Sequence, residues 1–427
     1  MFKQYLKSSF VKNSSYMVLS TVGMQLIAIL TIPILSRFFS PDIFGYHATY
    51  RSVLVILSII LTLKLETAIV LPKSLMAKNN LFIATLTNVA IISVILSLLY
   101  FILLLFDFDL LKTTFGLSTS SLFLLIFLGS ILVSLSNSSQ SVLVSQNKFK
   151  SLSLSRLILP TSFFIISLIL FYTFDSKLTL IIAHFFSYIL LNIYLSSKFK
   201  VDFLTFTKTI YKKSLIKYKD IVLYTSSNSL VNTISTNIPS LLLLGFYGAT
   251  PLGFYAIGAK IISIPTQLVS ASLSQIFYKK FADILNQGDK NLYSIVKKIF
   301  LSLLLFGIVV FSIVYLISPY IIPIFLGAEW IEALPIIKYL CFWQALVIVN
   351  SPLSTLTIIL NKQKQLLIYQ SCFLVSRFFA LWLPFYLGYS FNDAILSYSL
   401  TGVFFNIILS VFLLQITKSS TINNKIL

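Results

Sequence analysis

Charge is scarce in this 427-residue sequence: Asp, Glu, Lys and Arg together make up 10% of it. A water-soluble domain of that length needs far more polar side chain to cover its surface, so a soluble fold is excluded. Acids are rarer still, 12 against 32 basic residues. Cysteine is limited to Cys341 and Cys372, both inside apolar runs, which leaves no disulfide framework. With two histidines besides, no Cys/His spacing marks a metal site, so neither a metal nor another cofactor is expected. The chain also lacks a glycine-rich phosphate loop, which argues against ATP hydrolysis within it.

Apolar sequence is abundant, at 57% hydrophobic residues and a mean hydropathy of +0.94. The apolar runs are about 20 to 27 residues long, the length a helix rising 1.5 Å per residue needs to cross a ~30 Å hydrocarbon core. They fall at 14–38, 43–72, 82–106, 118–145, 151–174, 178–197, 220–245, 252–278, 295–317, 333–360, 366–388 and 393–416. The expected fold is therefore an all-α polytopic membrane protein of about twelve transmembrane helices. The first run follows Lys3, Lys7 and Lys12 but is too long for a signal h-region and has no small-x-small cleavage site, so it reads as a retained helix.

Basic residues gather at every second loop: Lys73 and Lys78, Lys148 and Lys150, seven lysines between 198 and 219, the 279–298 group, then Lys362 and Lys364. The other loops carry Arg37, Lys112 and Lys177. By the positive-inside rule both termini and the Lys-rich loops are cytoplasmic, as in a multi-pass protein of a plasma membrane. Topology and attraction to anionic membrane lipids account for the net charge of +20, which argues against nucleic acid as a partner. The Lys-rich segment is the longest loop and sets the expected domains: an N-terminal six-helix lobe over 1–200, a basic cytoplasmic linker at 201–219, and a C-terminal six-helix lobe over 220–427.

The two lobes read as repeats. Ile32-Pro33, Ser40-Pro41 and Gly45-Tyr46 are echoed by Ile238-Pro239, Thr250-Pro251 and Gly253-Phe254-Tyr255, and Asn147-Lys148 by Asn361-Lys362. An even number of helices per repeat relates the halves by an axis along the membrane normal. Pro33 and Pro239, and likewise Pro160 and Pro384, occupy matching runs, where each removes a backbone donor and bends its helix.

Charges inside the runs are the functional candidates, because an ion at mid-bilayer costs about 2.5 to 3.5 kcal/mol. At ~100° per residue, Ser58, Thr62 and Glu66 share the Arg51 side of the second run, while Lys64 snorkels toward the interface. Lys260 lies five residues after Tyr255 as Arg51 lies five after Tyr46, and heads a stripe with Ser263, Gln267, Ser270 and Ser274. Arg377 is too deep to snorkel, whereas Arg156 is near enough to Lys150 for an interfacial position to be an equal reading. Further stripes carry Asn228, Asn232 and Ser235; Ser130, Ser134, Asn137 and Ser141; and Asn350, Ser354 and Thr357. Interhelical hydrogen bonding explains any single stripe; several together suggest a wet cavity. The candidate anion-binding set is thus Arg51, Lys260, Arg377 and Arg156, with Glu66, Asn137, Asn228, Asn232, Gln267 and Asn350 as polar lining. Such positive potential concentrates anions, and guanidinium suits phosphate. Glu66 is read as a counter-ion ahead of a proton-coupling group, and His47 and His184 as hydrogen-bonded packing residues. An enzyme reading rests on Asp107-Phe108-Asp109, a DxD pattern of the kind integral-membrane glycosyltransferases use, and no large external loop is present to build an acceptor site.

Several stretches resemble a known family. They are Leu35-Ser36-Arg37-Phe38-Phe39-Ser40-Pro41 with Phe44-Gly45; Leu65-Glu66-Thr67-Ala68-Ile69-Val70-Leu71-Pro72; Ser145-Gln146-Asn147-Lys148; Leu326-Gly327-Ala328-Glu329-Trp330 with Ala333-Leu334-Pro335; and Asn350-Ser351-Pro352 leading into Asn361-Lys362-Gln363-Lys364. In order and spacing they are similar to lipid-linked oligosaccharide flippases of the O-antigen, capsule and teichoic acid type. These form the polysaccharide transport branch of the multidrug/oligosaccharidyl-lipid/polysaccharide (MOP) exporter superfamily. The resemblance implies a V-shaped pair of six-helix lobes around a cationic cavity, and no enzyme activity. The implied cargo is an undecaprenyl-diphosphate-linked oligosaccharide, moved from the inner to the outer leaflet of a bacterial plasma membrane by alternating access. Polysaccharide polymerase machinery is an implied partner. A drug or cation exporter of the same superfamily is the alternative, but such relatives typically carry an acidic cation site in the first helix, where this chain has Gln25.

Overall fold

A computed structural model describes residues 9–106, 115, 119–173, 176–202, 207–286 and 292–423, which form helices and turns with no strand among them. Among the described residues twelve helices are long and apolar enough to cross a membrane: Ser15–Phe38, Pro41–Thr62, Leu75–Leu105, Ser121–Ser145, Phe149–Thr173, Thr179–Ser196, Ile221–Tyr247, Ala249–Ser270, Leu292–Phe325, Ala333–Ile359, Gln363–Tyr386 and Phe391–Ser419. Most follow the apolar runs within a few residues, since the same polar breaks that end a run also supply its caps. The third begins seven residues sooner than expected, the ninth runs eight residues further, and the second stops ten residues early.

The second span ends at Thr62 because the chain turns left-handed at Leu63 (φ 50°) and Lys64 (φ 55°) before a 3-10 segment, Leu65–Val70. Two consecutive non-glycine residues there store strain that the surrounding packing must hold. Elsewhere the ends follow ordinary capping chemistry. Pro41 opens the second span, where its missing N–H costs nothing. The Ser74 side chain accepts from Ala77 N–H at 3.2 Å. Ser390 and Asp393 cap each other reciprocally at the last span, N–H to side-chain oxygen at 3.1 and 3.4 Å.

The expected repeat is visible in the backbone. After the fourth span Asn147 is left-handed (φ 57°), Lys148 N–H donates to Leu143 O at 2.9 Å, and Asn147 N–H to Val144 O at 3.0 Å. After the tenth, Asn361 has φ 54°, with Lys362 N–H to Thr357 O at 2.7 Å and Asn361 N–H to Ile358 O at 3.2 Å. Both are Schellman closures, with asparagine tolerating the conformation that glycine usually takes.

By its contacts the chain divides into two compact units, Met1–Thr31 with Asp42–Thr250, and Ile32–Pro41 with Pro251–Leu427. The seventh span groups with the first unit and the end of the first span with the second. In the first unit, Leu65, Ala68 and Ile69 of the 3-10 segment pack on Leu81–Ala84 and Val142, and Tyr211, Leu215 and Tyr218 cover that cluster from the linker. Gly45 is buried there, and a Cβ on it would sit 2.0 Å from the carbonyl oxygen of Ala249. In the second unit, Val296, Val349, Leu353, Leu356 and Leu413 centre the core. A Cβ on Gly253 would come within 1.8 Å of the Pro41 carbonyl oxygen. The two contacts are reciprocal: Gly45 answers to Gly253 and Ala249 to Pro41. This register makes Ala259 the counterpart of Arg51. Lys260 therefore lies one residue on, ~100° further around its helix, a correction to the pairing by distance from tyrosine.

The family-like motifs at 35–41 and 326–330 meet within the second unit. Buried Trp330 donates its Nε1–H to Ser36 O at 2.9 Å, and Ser36 Oγ donates to Leu326 O at 3.0 Å. Arg37 donates to Ile324 O at 2.7 Å, which occupies a carbonyl orphaned at the end of the ninth span.

Candidate functional site

In the first unit the second span divides its faces sharply. Tyr50, Thr49 and His47 are buried: Tyr50 donates to Leu125 O at 3.2 Å, and Thr49 to Ser240 O at 2.7 Å. His47 Nε2 and His184 Nδ1 lie 2.7 Å apart, one donating to the other, so the two imidazoles share a hydrogen bond. His47 stacks on Phe163 (5.0 Å, 11°) and His184 on Tyr188 (5.1 Å, 19°). The two histidines are thus packing residues, as expected, with the unforeseen feature that they pack on each other. Arg51, next to this buried block, is exposed, and among the described residues no carboxylate lies within ion-pair distance of it.

The rest of the expected stripe does not continue that open face. Ser58 (3% exposed) and Thr62 (1%) are buried and donate to their own helix, to Val55 O at 2.8 Å and Ser58 O at 2.9 Å. Glu66 lies beyond the helix end, so the angular count that aligned it with Arg51 does not apply. It is buried, and its Oε1 pairs with Lys64 Nζ at 3.5 Å. Its counter-ion is accordingly Lys64, not a cation on the Arg51 side, and Lys64 does not snorkel as an isolated charge. The remaining candidates of this unit differ in access: Arg156 and Asn137 are half-buried, while Asn228 and Asn232 are exposed.

In the second unit Arg377 is buried, with its guanidinium carbon over Phe373 (3.8 Å), Trp343 (5.2 Å) and Tyr398 (5.5 Å). Those rings come from the tenth, eleventh and twelfth spans, so one guanidinium joins three helices through π faces. Ring quadrupoles attract a cation without neutralising its charge. Lys260 is half-buried. The Ser263 hydroxyl donates to Lys260 O at 2.8 Å and accepts from exposed Gln267 Nε2 at 2.9 Å, which makes this stripe a bonded ladder. Further along the same helix the Ser270 hydroxyl meets Ser351 at 2.6 Å, and Ser274 Oγ donates to Ser270 O at 2.7 Å. Asn350 is corrected from cavity lining to interhelical glue. It is 2% exposed and donates to Asn406 O at 2.8 Å while accepting from Ser410 Oγ at 2.9 Å.

The candidate set is thus distributed over both units. Arg51, Arg156, Glu66, Asn137, Asn228 and Asn232 lie in the first, and Lys260, Gln267, Asn350 and Arg377 in the second. Sequence reasoning missed the aromatic cage. The i, i+4 spacing of Phe373 and Arg377 was a readable signal for one wall; Trp343 and Tyr398 carry none, because only the packing of separate spans brings them in. Asp107 and Asp109, which the enzyme reading needs, lie outside the described residues.

Comparison with known proteins adds sequence and fold relatives. A family model described as "Polysaccharide biosynthesis protein" matches residues 34–335. The lipopolysaccharide biosynthesis protein WzxC of Escherichia coli (strain K12) is 23% identical over 137 residues, 31% of this chain and 26% of that protein. The chain therefore matches about a quarter of the length of this relative. Among solved structures, the lipid II flippase MurJ in an inward closed conformation superposes with a TM-score of 0.72 at 16% identity, covering 96% of this chain and 90% of that one. An inward-facing multidrug resistance MATE family transporter of the MOP superfamily gives 0.62 at 13% identity, covering 96% and 95%. The fold is of this MurJ and MATE type.

Proposed function

We propose, from the premise that this chain belongs to the polysaccharide biosynthesis protein family, that it is a flippase for a lipid-linked oligosaccharide. In this reading the cargo is an undecaprenyl-diphosphate-linked repeat unit, carried from the inner to the outer leaflet of a bacterial plasma membrane by alternating access. It feeds polysaccharide polymerase machinery and makes no bond itself. Two six-helix lobes joined by the 201–219 linker, with both termini cytoplasmic, belong to the same proposal. Arg51 carries it: an open guanidinium in a membrane-spanning helix, with no carboxylate partner among the described residues, matches the chemistry of a diphosphate. Arg377, set among three aromatic rings, Lys260 and Arg156 are the other cations of the set. Exposed Asn228, Asn232 and Gln267, with half-buried Asn137, suit a hydroxyl-rich glycan.

The sign of the charge favours this reading over a drug or cation exporter. The first span, Ser15–Phe38, contains no acid, and Glu66 is held by Lys64. Arg51→Ala is expected to lower surface polysaccharide by about tenfold or more, the worth of one charge-assisted hydrogen bond to phosphate, with unchanged protein in the membrane. Unaltered surface glycan would overturn the assignment of Arg51. A deletion strain with normal glycan and new drug sensitivity would turn the function to drug export.

A further inference from the structure

We propose that the linker helix Lys208–Lys217 is a docking surface for the anionic headgroups of the surrounding bilayer, separate from the residues assigned to the cargo. Its inner face is fixed to the protein. Tyr211 and Leu215, with Tyr218 just beyond, pack on the cluster around Leu65, Ala68, Ile69 and Phe82. The Tyr211 hydroxyl donates to Asn88 Oδ1 at 2.5 Å, and Asn88 is 2% exposed in the third span. Burial pushes the Tyr211 phenol above its usual range, so it keeps the proton it donates. At the start, the Thr207 side chain accepts from Ile210 N–H at 3.3 Å and caps the helix.

The outer face is built differently. Lys208, Lys212, Lys213 and Lys217 are all exposed, and among the described residues none has a carboxylate within ion-pair distance. Nearby lysines are already spent on backbone: Lys78 donates to Ser145 O at 2.6 Å and Lys148 to Lys198 O at 2.7 Å. Ile216 stands 61% exposed among the linker lysines. An apolar side chain flanked by lysines on a helix surface is the pattern of an interfacial helix, with the chain buried at headgroup depth and the ammonium groups on phosphate.

Continuity with the membrane selects the bilayer over an acidic protein as the occupant. The helix is followed almost at once by the seventh span, which begins at Ile221, and Leu223 (59%) and Tyr224 (73%) are exposed at its start. A tyrosine there is a headgroup-level anchor. Lysines one to three turns earlier in the chain are then within reach of the same headgroups. Tyr211 ties the helix to Asn88 and to the cluster that includes Leu65, Ala68 and Ile69 of the 3-10 segment.

The test uses the purified full-length chain in detergent, titrated with phosphatidylglycerol or phosphatidylcholine of identical acyl chains, with bound lipid counted by native mass spectrometry. Wild type is expected to prefer phosphatidylglycerol. The K208Q/K212Q/K213Q/K217Q variant is expected to lose that preference by about 100-fold or more, since each lysine near an anionic surface is worth about fivefold. A control with four other exposed lysines replaced, K297Q/K298Q/K364Q/K418Q, is expected to keep most of it. The preference should also shrink as salt shortens the Debye length. Equal preference in wild type and the linker variant, equal loss in the control, or indifference to salt would each overturn the proposal.

Discussion

Arg51 and Arg377 look alike in the sequence, each a lone arginine in an apolar run, yet their surroundings are opposite. Arg51 stands open beside a buried block in which His47 and His184 are hydrogen-bonded to each other. Arg377 is buried under three rings from three spans. A cation can serve a ligand only if its own fold does not depend on it. The contrast therefore predicts that one arginine is mainly functional and the other partly structural.

Removing Arg377 gives the largest expected effect. Arg377→Ala empties the cage and removes the cation that joins the tenth, eleventh and twelfth spans. It should cost about 3 kcal/mol, read as a lowered thermal midpoint of the detergent-solubilised protein. Arg377→Lys should recover part of that loss, since an ammonium keeps the π attraction but not the planar stacking. His184→Phe comes next. It keeps the ring stacking but leaves buried His47 without its nitrogen partner, at about 1 to 3 kcal/mol. Arg51→Ala should change stability by no more than about 0.5 kcal/mol while reducing surface glycan. Should Arg51→Ala destabilise as much as Arg377→Ala, the distinction between the two arginines would collapse.

The smallest effects compare the two repeats. Asn147→Ala and Asn361→Ala should each cost about 1 kcal/mol, because alanine resists the left-handed conformation, while glycine at either position should be neutral or slightly stabilising. Matched responses would show that the two closures are energetically as well as geometrically equivalent.

Much of this was legible beforehand for identifiable reasons. Asn147-Lys148 and Asn361-Lys362 marked helix ends because a left-handed residue followed by a bonded N–H is a local device. The limits of the second span were not legible. Residues 63–70 are as apolar as the helix before them, and only packing against Leu81–Ala84 and Val142 holds the left-handed turn and the 3-10 segment. The same distinction applies to the polar stripes. Asn350 and Gln267 both lie on regular stripes, but Asn350 meets Asn406 and Ser410 whereas Gln267 is exposed.

Sequence by itself determined the number of spans, the positions of most of their ends, the doubled pattern and the excess of cations. Each of these follows from hydrocarbon thickness, local capping or simple composition. Tertiary structure alone decided which cations stay open, which polar side chains are consumed between helices, and which partner Glu66 takes. A helical period gives the angle at which a side chain leaves its axis, but the neighbour that it meets belongs to another part of the chain.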